Sequence, residues 1–305
     1  MNDIMRYLQQ KNEEMLAELK ALVEQESPTK DKVLIDAIAA SVAELFERLT
    51  GGRAEIIPNE TYGNHVRGEW GFGEEQILLL GHFDTVWKQG ILEEMPFRVE
   101  DGKAYGPGIF DMKGGLVQGI YALHALTAMK KPVQSRVVFL FTSDEEIGSP
   151  TSREWIEREA ARSKCVFVLE PSASPHGALK TSRKGIGSFR LKTKGVPVHA
   201  GIDYERGRSA IEELSRQIIY LHGLTDLEAG STVNVGVIKG GTAANVVAEE
   251  AEAEIDLRIQ NEAEAKRMFE LMLGAAPLQK DTSVEVTGGI RRPPMELNRP
   301  GGAAV

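Results

Sequence analysis

The chain has 305 residues, 42% apolar and 27% charged, enough for two domains with separate cores in an ordinary globular protein. Its formal charge of −9, from 36 basic and 45 acidic side chains, argues against nucleic acid as the main partner. Cys165 is the single cysteine, which excludes an intrachain disulfide and a cysteine-based zinc site.

Met1 to Arg6 lack the apolar core of a signal peptide, and no apolar stretch approaches membrane-spanning length. The expectation is a cytoplasmic protein with no membrane partner. Residues 3 to 24 place Ile4, Leu8, Met15, Leu19 and Leu22 on one helical face, and Ser27-Pro28 ends that helix. A second helix is predicted from about Lys30 to Leu49, stopping at Gly51-Gly52. Residues 54 to 76 are turn-rich and give no clear element.

Ile77 to Leu80 then form a short apolar strand ended by Gly81, with His82 and Asp84 in the following turn. Tyr105 to Gly115 is a glycine-rich loop entering a helix, Leu116 to Met129. Its glycine spacing fits neither a phosphate loop nor a dinucleotide fingerprint, so any function must rest on Asp111. Val137 to Phe141 is a second buried strand ending in Thr142-Ser-Asp-Glu-Glu146. Ser149-Pro150 reads as an N-cap followed by proline at the first helical position. Val166 to Leu169 is a third buried strand, which makes Cys165 a buried, inert thiol, and it ends in Glu170-Pro171. Three such strands separated by helices predict a parallel sheet with right-handed crossovers. Ligands collect at the carboxyl edge of such sheets, where His82, Asp84, Glu145, Glu146 and Glu170 would all land.

From about Gly185 the pattern changes. Strands are predicted at 186–193, 232–238, 250–259 and 283–287, and helices at 208–221 and 262–273. In the third strand Ala251, Ala253, Ile255, Leu257 and Ile259 alternate with charged residues. The order βαββαβ is the split, ferredoxin-like module. The fold class is therefore α/β, a mostly parallel-sheet domain with an inserted ferredoxin-like module. The first domain spans 1–180, the module 181–290, with a hinge near 178–184, and 291–305 begin a return to the first domain.

One imidazole and several carboxylates on one sheet edge suit a divalent metal, zinc first, with cobalt or manganese as alternatives. That many unpaired carboxylates would otherwise raise one another's pKa. The competing readings are a hydrogen-bonded His–Asp pair in a turn and solvated acids at loop starts. His65, His124, His176 and His222 match no motif and read as surface residues.

The segments Gly81-His-Phe-Asp-Thr85, Gly106 to Gly115, Ser143-Asp-Glu-Glu-Ile-Gly-Ser149 and Glu170-Pro-Ser172 resemble those of the zinc-dependent exopeptidases and amidohydrolases of the glutamate carboxypeptidase type. Acetylornithine deacetylase, succinyl-diaminopimelate desuccinylase and the aminoacylases belong to the same family. In the module, Val198-His-Ala-Gly201 and Gly240 to Val247 resemble that family's lid and dimerisation domain. The resemblance implies two zinc ions per subunit, with His82 and Glu170 on one, Glu146 on the other, and Asp111 between them. It makes Glu145 the general base, Asp84 the partner that orients His82, and His199 an oxyanion-stabilising residue reaching across a homodimer. Asn245 and Arg258 would bind the substrate's carboxylate, although Arg258 also reads as one more charge on an acidic strand. The implied activity is hydrolysis of an amide next to a free carboxylate, in a small peptide or an N-acyl amino acid, glutamate conjugates included.

The family adds, after the lid, a glycine-rich loop and a final histidine that ligates the second zinc. This sequence has no histidine after His222. The expectation is either a truncated or frameshifted product or a member with an incomplete second metal site. The rival reading is accordingly a catalytically impaired chain that keeps its dimerisation module.

Overall fold

A computed structural model describes residues 3–131, 133–173 and 177–297. His176 and residues 298–305, for which the sequence raised expectations, lie outside the described residues. The chain divides into two compact units, Met1–Ser172 and Ala173–Val305.

The first unit opens with α1 (Asp3–Gln10), α2 (Asn12–Val23) and α3 (Lys32–Thr50). The single helix expected over 3–24 is broken at Lys11, whose φ of −93° and ψ of 6° lie outside the helical basin. Asp31 caps α3 by accepting from the Leu34 N–H, and Gly51 ends it at φ 72°, a left-handed cap that glycine adopts without a Cβ penalty. The turn-rich stretch holds two strands, β1 (Arg53–Ile57) and β2 (His65–Trp70), paired antiparallel. Their short lengths and the Gly63-Asn64 turn hide them from a periodicity argument.

β3 (Gln76–His82) follows, then the short α4 (Ile91–Glu94) and the hairpin β4 (Arg98–Glu100) and β5 (Lys103–Tyr105). An irregular turn over Ile109–Lys113 leads into α5 (Gly114–Ala128), and β6 (Arg136–Thr142), α6 (Arg153–Ala161) and β7 (Ser163–Val168) complete the unit. The sheet order is β1-β2-β6-β3-β7, with β6, β3 and β7 parallel and β1 and β2 antiparallel on one side.

Helices cover both faces. Leu19 and Leu22 of α2, Ile35, Ile38, Val42 and Phe46 of α3, and Leu116 and Ile120 of α5 pack on one face. Trp155 and Ile156 of α6 meet Leu78, Val138 and Leu140 on the other. Phe46 is fully buried and meets Phe139 and Phe141 edge-on, with ring centroids 6.4 and 6.0 Å apart. Phe46→Ala should therefore cost about 3–5 kcal/mol of first-unit stability, read as a lower urea midpoint with an unchanged slope. A shift below about 1 kcal/mol would show that the three-ring cluster contributes little.

Two sequence expectations fail here. α6 starts at Arg153 rather than at Pro150, because Ser149 takes a left-handed φ of 57° and cannot serve as an extended N-cap. The buried Asp144 carboxylate instead braces the segment that leads into the helix, accepting from the Thr151 and Ser152 N–H groups at 2.7 and 3.2 Å. β7 is not buried: Val166, Phe167 and Val168 are 40, 52 and 54% exposed, and Cys165 is half-buried. An apolar run does not tell a central strand from one at the sheet's edge, and β7 pairs only with β3.

The second unit contains β8 (Gly185–Lys194), α7 (Ala210–His222), β9 (Thr232–Gly240), β10 (Glu250–Ile259), α8 (Glu262–Leu273) and β11 (Ser283–Arg292). Its sheet, ordered β11-β8-β10-β9 and antiparallel throughout, has the split βαββαβ connectivity. Ala251, Ala253, Ile255, Leu257 and Ile259 are buried against Leu214 and Leu221 of α7 and Met268 and Met272 of α8. Ser209 and Asn261 cap the two helices, accepting from the N–H groups of Glu212 and Glu264. β11 runs on to Arg292, so Arg291 and Arg292, expected to begin the return to the first domain, belong to this sheet. Among the described residues no helix is long and apolar enough to cross a membrane.

Candidate metal centre

His82 ends β3, and its ring is 1% exposed. Gly81 lets the strand lie close to the helix side, since a Cβ there would come within 2.5 Å of Leu116 Cδ2 and 2.7 Å of Met112 Cε and would displace those side-chain ends. The ring's two nitrogens face different partners. Nδ1 lies 3.0 Å from the Asp84 carbonyl oxygen and 3.3 Å from its carboxylate. Nε2 points the other way, 3.0 Å from Asp111 Oδ1 and 3.5 Å from Glu170 Oε1. A buried imidazole held at Nδ1 and aimed at carboxylates with Nε2 is the arrangement of a metal-ligating histidine.

Asp84 is fully buried and joins three segments. Its carboxylate accepts from the Thr29 hydroxyl at 2.8 Å and from the Glu145 and Glu146 N–H groups at 3.2 and 3.3 Å. One side chain thus sets both the imidazole and the backbone of the paired glutamates. Asp144 fixes the far side of the same turn, with its carboxylate also accepting from the Thr151 and Ser152 hydroxyls.

Two groups of donor atoms each lie within 4.8 Å of one another: His82, Asp111 and Glu146, and His82, Glu145 and Glu170. The structure therefore brings together all the first-domain site residues read from the sequence. The electrostatics fit a cation. Burial pushes the Glu146 carboxyl up to about 7; His82 opposes the shift, while the negative charges of Asp111, Asp84 and Glu145 add to it. Burial also opposes charge on His82, but hydrogen bonds with Asp84 and Glu170 and the charges of Asp84 and Glu145 prevail and push it up to about 11. Without metal, the imidazolium is the cation of the cluster. One imidazole among four carboxylates is a donor set for zinc or a harder divalent ion.

Several supporting residues carry no sequence signal. Thr29 lies 55 residues from the aspartate it serves. Lys113 is 1% exposed, and burial pulls its ammonium down to about 7 against the charges of Glu26 and Asp84. Two histidines read as surface residues are not. His65 is buried beside Ser143, its Nδ1 3.2 Å from the Ser143 N–H and its pKa lowered by burial. His124 is half-buried between the Leu49 carbonyl oxygen and the Tyr7 hydroxyl. Asn64 before His65 masks its inward orientation, whereas His124 stands in the apolar stretch Tyr121 to Leu126 of α5, which is itself a signal of burial. His222 is exposed, as expected.

In the second unit, His199 and Asn245 lie on adjoining loops: the Ala200 N–H donates to the Asn245 carbonyl oxygen at 2.9 Å. Both side chains are exposed, and His199 Nδ1 accepts from the Gly201 N–H at 3.1 Å. Arg258 stands on the charged face of β10, its guanidinium forked on Asp256 at 2.8 and 3.1 Å. Any anion it takes would have to compete with that carboxylate.

Comparison with known proteins gives the relatives of the chain. Residues 181–276 match the peptidase dimerisation domain, and residues 65–196 match peptidase family M28. The chain is 34% identical over 197 residues to carboxypeptidase G2 of Pseudomonas sp. (strain RS-16), covering 64% of this chain and 48% of that protein. It is 31% identical over 248 residues to acetylornithine deacetylase of Pasteurella multocida (strain Pm70), covering 75% and 61%. It thus spans about half to three-fifths of the length of these curated relatives. Its fold is similar to that of the aminopeptidase PepT from Bacillus cereus, with a TM-score of 0.78 and 22% identity over 94% of this chain and 78% of that one. Motifs, fold and relatives agree: the chain belongs to the M20 family of metal-dependent peptidases and amidohydrolases, alongside carboxypeptidase G2 and acetylornithine deacetylase.

Proposed function

We propose that the protein hydrolyses an amide or peptide bond next to a free carboxylate, in a small peptide or N-acyl amino acid, with zinc as its metal. The observation that carries this reading is the convergence of His82 Nε2 with Asp111 and Glu170 at 3.0 and 3.5 Å, beside the paired Glu145 and Glu146. His82 and Glu170 would hold one ion and Glu146 a second, with Asp111 shared; cobalt or manganese would suit the same donors. When bound, the metal polarises the scissile carbonyl and makes water a stronger nucleophile at neutral pH.

The chain's own groups do the rest. Asp84 keeps the His82 ring oriented and the glutamate turn in place. Glu145 takes a proton from the attacking water and passes it to the leaving amine nitrogen. His199 of the partner subunit would stabilise the developing oxyanion, reaching across the dimer, and Asn245 and Arg258 would receive the substrate's carboxylate, Arg258 exchanging Asp256 for it. A cytoplasmic setting belongs to the same proposal, since one cysteine makes no use of an oxidising compartment.

The test compares N-acyl amino acids and short peptides with their C-terminal amides, with Zn2+, Co2+ or Mn2+ added and with a chelator. Hydrolysis should need metal and should favour the free carboxylate. Equal rates on acids and amides would remove the carboxylate from the reading, and chelator-resistant hydrolysis would remove the metal.

We further propose that residues 173–297 carry the homodimer contact, as the match to a peptidase dimerisation domain supports. This unit has its own core, and Ile238 on edge strand β9 is 63% exposed. Expressed alone, residues 177–297 should fold and sediment as a dimer. A folded monomer at tens of micromolar would place the contact elsewhere.

A further inference from the structure

Asp111 is the most exposed of the proposed metal ligands, with a side chain 58% accessible. Among the described residues, its carboxylate makes one hydrogen bond, to His82 Nε2. A carboxylate with so few partners is placed by its backbone, so whatever holds the Ile109–Lys113 turn holds Asp111. Three contacts do. The Lys113 N–H donates to the Gly108 carbonyl oxygen at 2.8 Å and closes the turn. Gly108 sits at φ 68°, and a Cβ there would meet Thr85 Cγ2 at 2.6 Å. Met112 is buried in the core beneath Gly81.

The remaining anchor is less ordinary. The Lys113 side chain leaves the turn, enters the first-unit core and donates from Nζ to the Leu22 carbonyl oxygen at 3.0 Å and the Gln25 carbonyl oxygen at 2.9 Å. These oxygens belong to the last turn of α2 and the residues just past it. Helix ends leave such carbonyls without intrahelical donors, and their partial negative charge favours a cationic donor. A buried lysine nitrogen otherwise costs free energy, so these two acceptors fix where it can sit. The chain thereby ties residue 113 to residue 22, 91 positions away, by a bond that water does not reach.

We infer that Lys113 is a positioning residue for the metal centre: by pinning the Ile109–Lys113 turn to the C-terminal end of α2, it holds Asp111 where a metal can be shared. The inference rests on the proposed metal site. Lys113 touches neither metal nor substrate in this arrangement and acts only through the turn.

The experiment titrates Co2+ into the metal-free 305-residue chain, following heat and the visible absorption of the bound ion, beside a thermal melt without metal. Lys113→Met keeps the length and apolar stem of the side chain and removes its donors. It should weaken Co2+ binding by about 10- to 100-fold and alter the spectrum, the range seen when groups supporting metal ligands are lost. A purely structural lysine would lower the melting temperature yet leave the affinity and spectrum of the folded protein unchanged, and that result would overturn the inference. A second variant covers the case in which Lys113→Met does not fold. Lys20 is exposed on the last turn of α2 and Glu24 just past it at the C-cap, and Lys20→Gly with Glu24→Gly loosens that end without touching Lys113. It should weaken Co2+ binding several-fold, and unchanged affinity would again overturn the inference. Failure of the wild-type chain to bind Co2+ is a separate outcome, which would sink the metal reading itself.

Discussion

Glu145→Gln lowers turnover by about 10²- to 10⁴-fold and leaves metal bound, whereas Glu146→Gln loosens one metal ion. The first magnitude is that of a lost general acid–base group. The two residues are adjacent, but the backbone N–H of each is held by a different oxygen of Asp84. Their carboxylates fall in different donor groups, Glu145 with Glu170 and Glu146 with Asp111. Glutamine keeps the size of either side chain and removes its basicity, so packing is not in question. Turnover measured beside metal content by atomic absorption separates the roles. Equal metal loss in both variants would mean that Glu145 is a ligand rather than a base, an outcome its place in the second donor group makes worth testing.

Metal affinity rises steeply with pH. Ligation needs the neutral imidazole and the ionised carboxylate, so every proton held by the metal-free cluster competes with the ion. His82, pushed up to about 11, is protonated throughout the neutral range and must release that proton. Between pH 7 and 9 the apparent affinity should rise by about tenfold per pH unit, roughly 100-fold in all. Below about pH 7 the Glu146 carboxyl is protonated as well, and the slope should approach two protons per ion. The same shift sets the stability of the metal-free protein. A folded pKa above the unfolded value of about 6.5 contributes stability that is full below that value and lost as pH rises towards 11. Titration calorimetry in buffers of different ionisation enthalpy reads the proton count directly. Metal uptake without proton release at pH 8 would show that the His82 imidazole is already neutral.

Much of this site was legible before the structure. His82, Asp84, Asp111, Glu145, Glu146 and Glu170 stand at strand ends and in a glycine-rich loop, where a parallel sheet sends polar residues to one edge. The second unit was clearer still, because Ala251, Ala253, Ile255, Leu257 and Ile259 alternate with charges over the whole of β10. β1 and β2 were not legible, since five and six residues with mixed burial give no period to read. The exposure of β7 was invisible for the opposite reason: its apolar run is strong, but whether a strand lies at an edge depends on neighbours distant in sequence. The support of the site escaped for the same cause. Thr29, Lys113 and the bracing role of Asp144 depend on contacts that no local pattern encodes.

The Asp84 carboxylate, which gathers Thr29 and the Glu145–Glu146 turn, also bears on when the site forms during folding. Its contacts close loops of 55 and 61 residues, and the Lys113 contact closes one of 91. Closing such loops costs chain entropy that neighbouring helices do not repay, so contacts of this span form late. The β1–β2 pair rests on short-range contacts and can arrive first, while the donor groups stay scattered. On a ribosome, moreover, no donor set is complete until Glu146 has emerged, and the one containing Glu170 waits longer still. A divalent ion supplied from the start of refolding should therefore leave the early rate unchanged and act on the final step, by slowing its reversal.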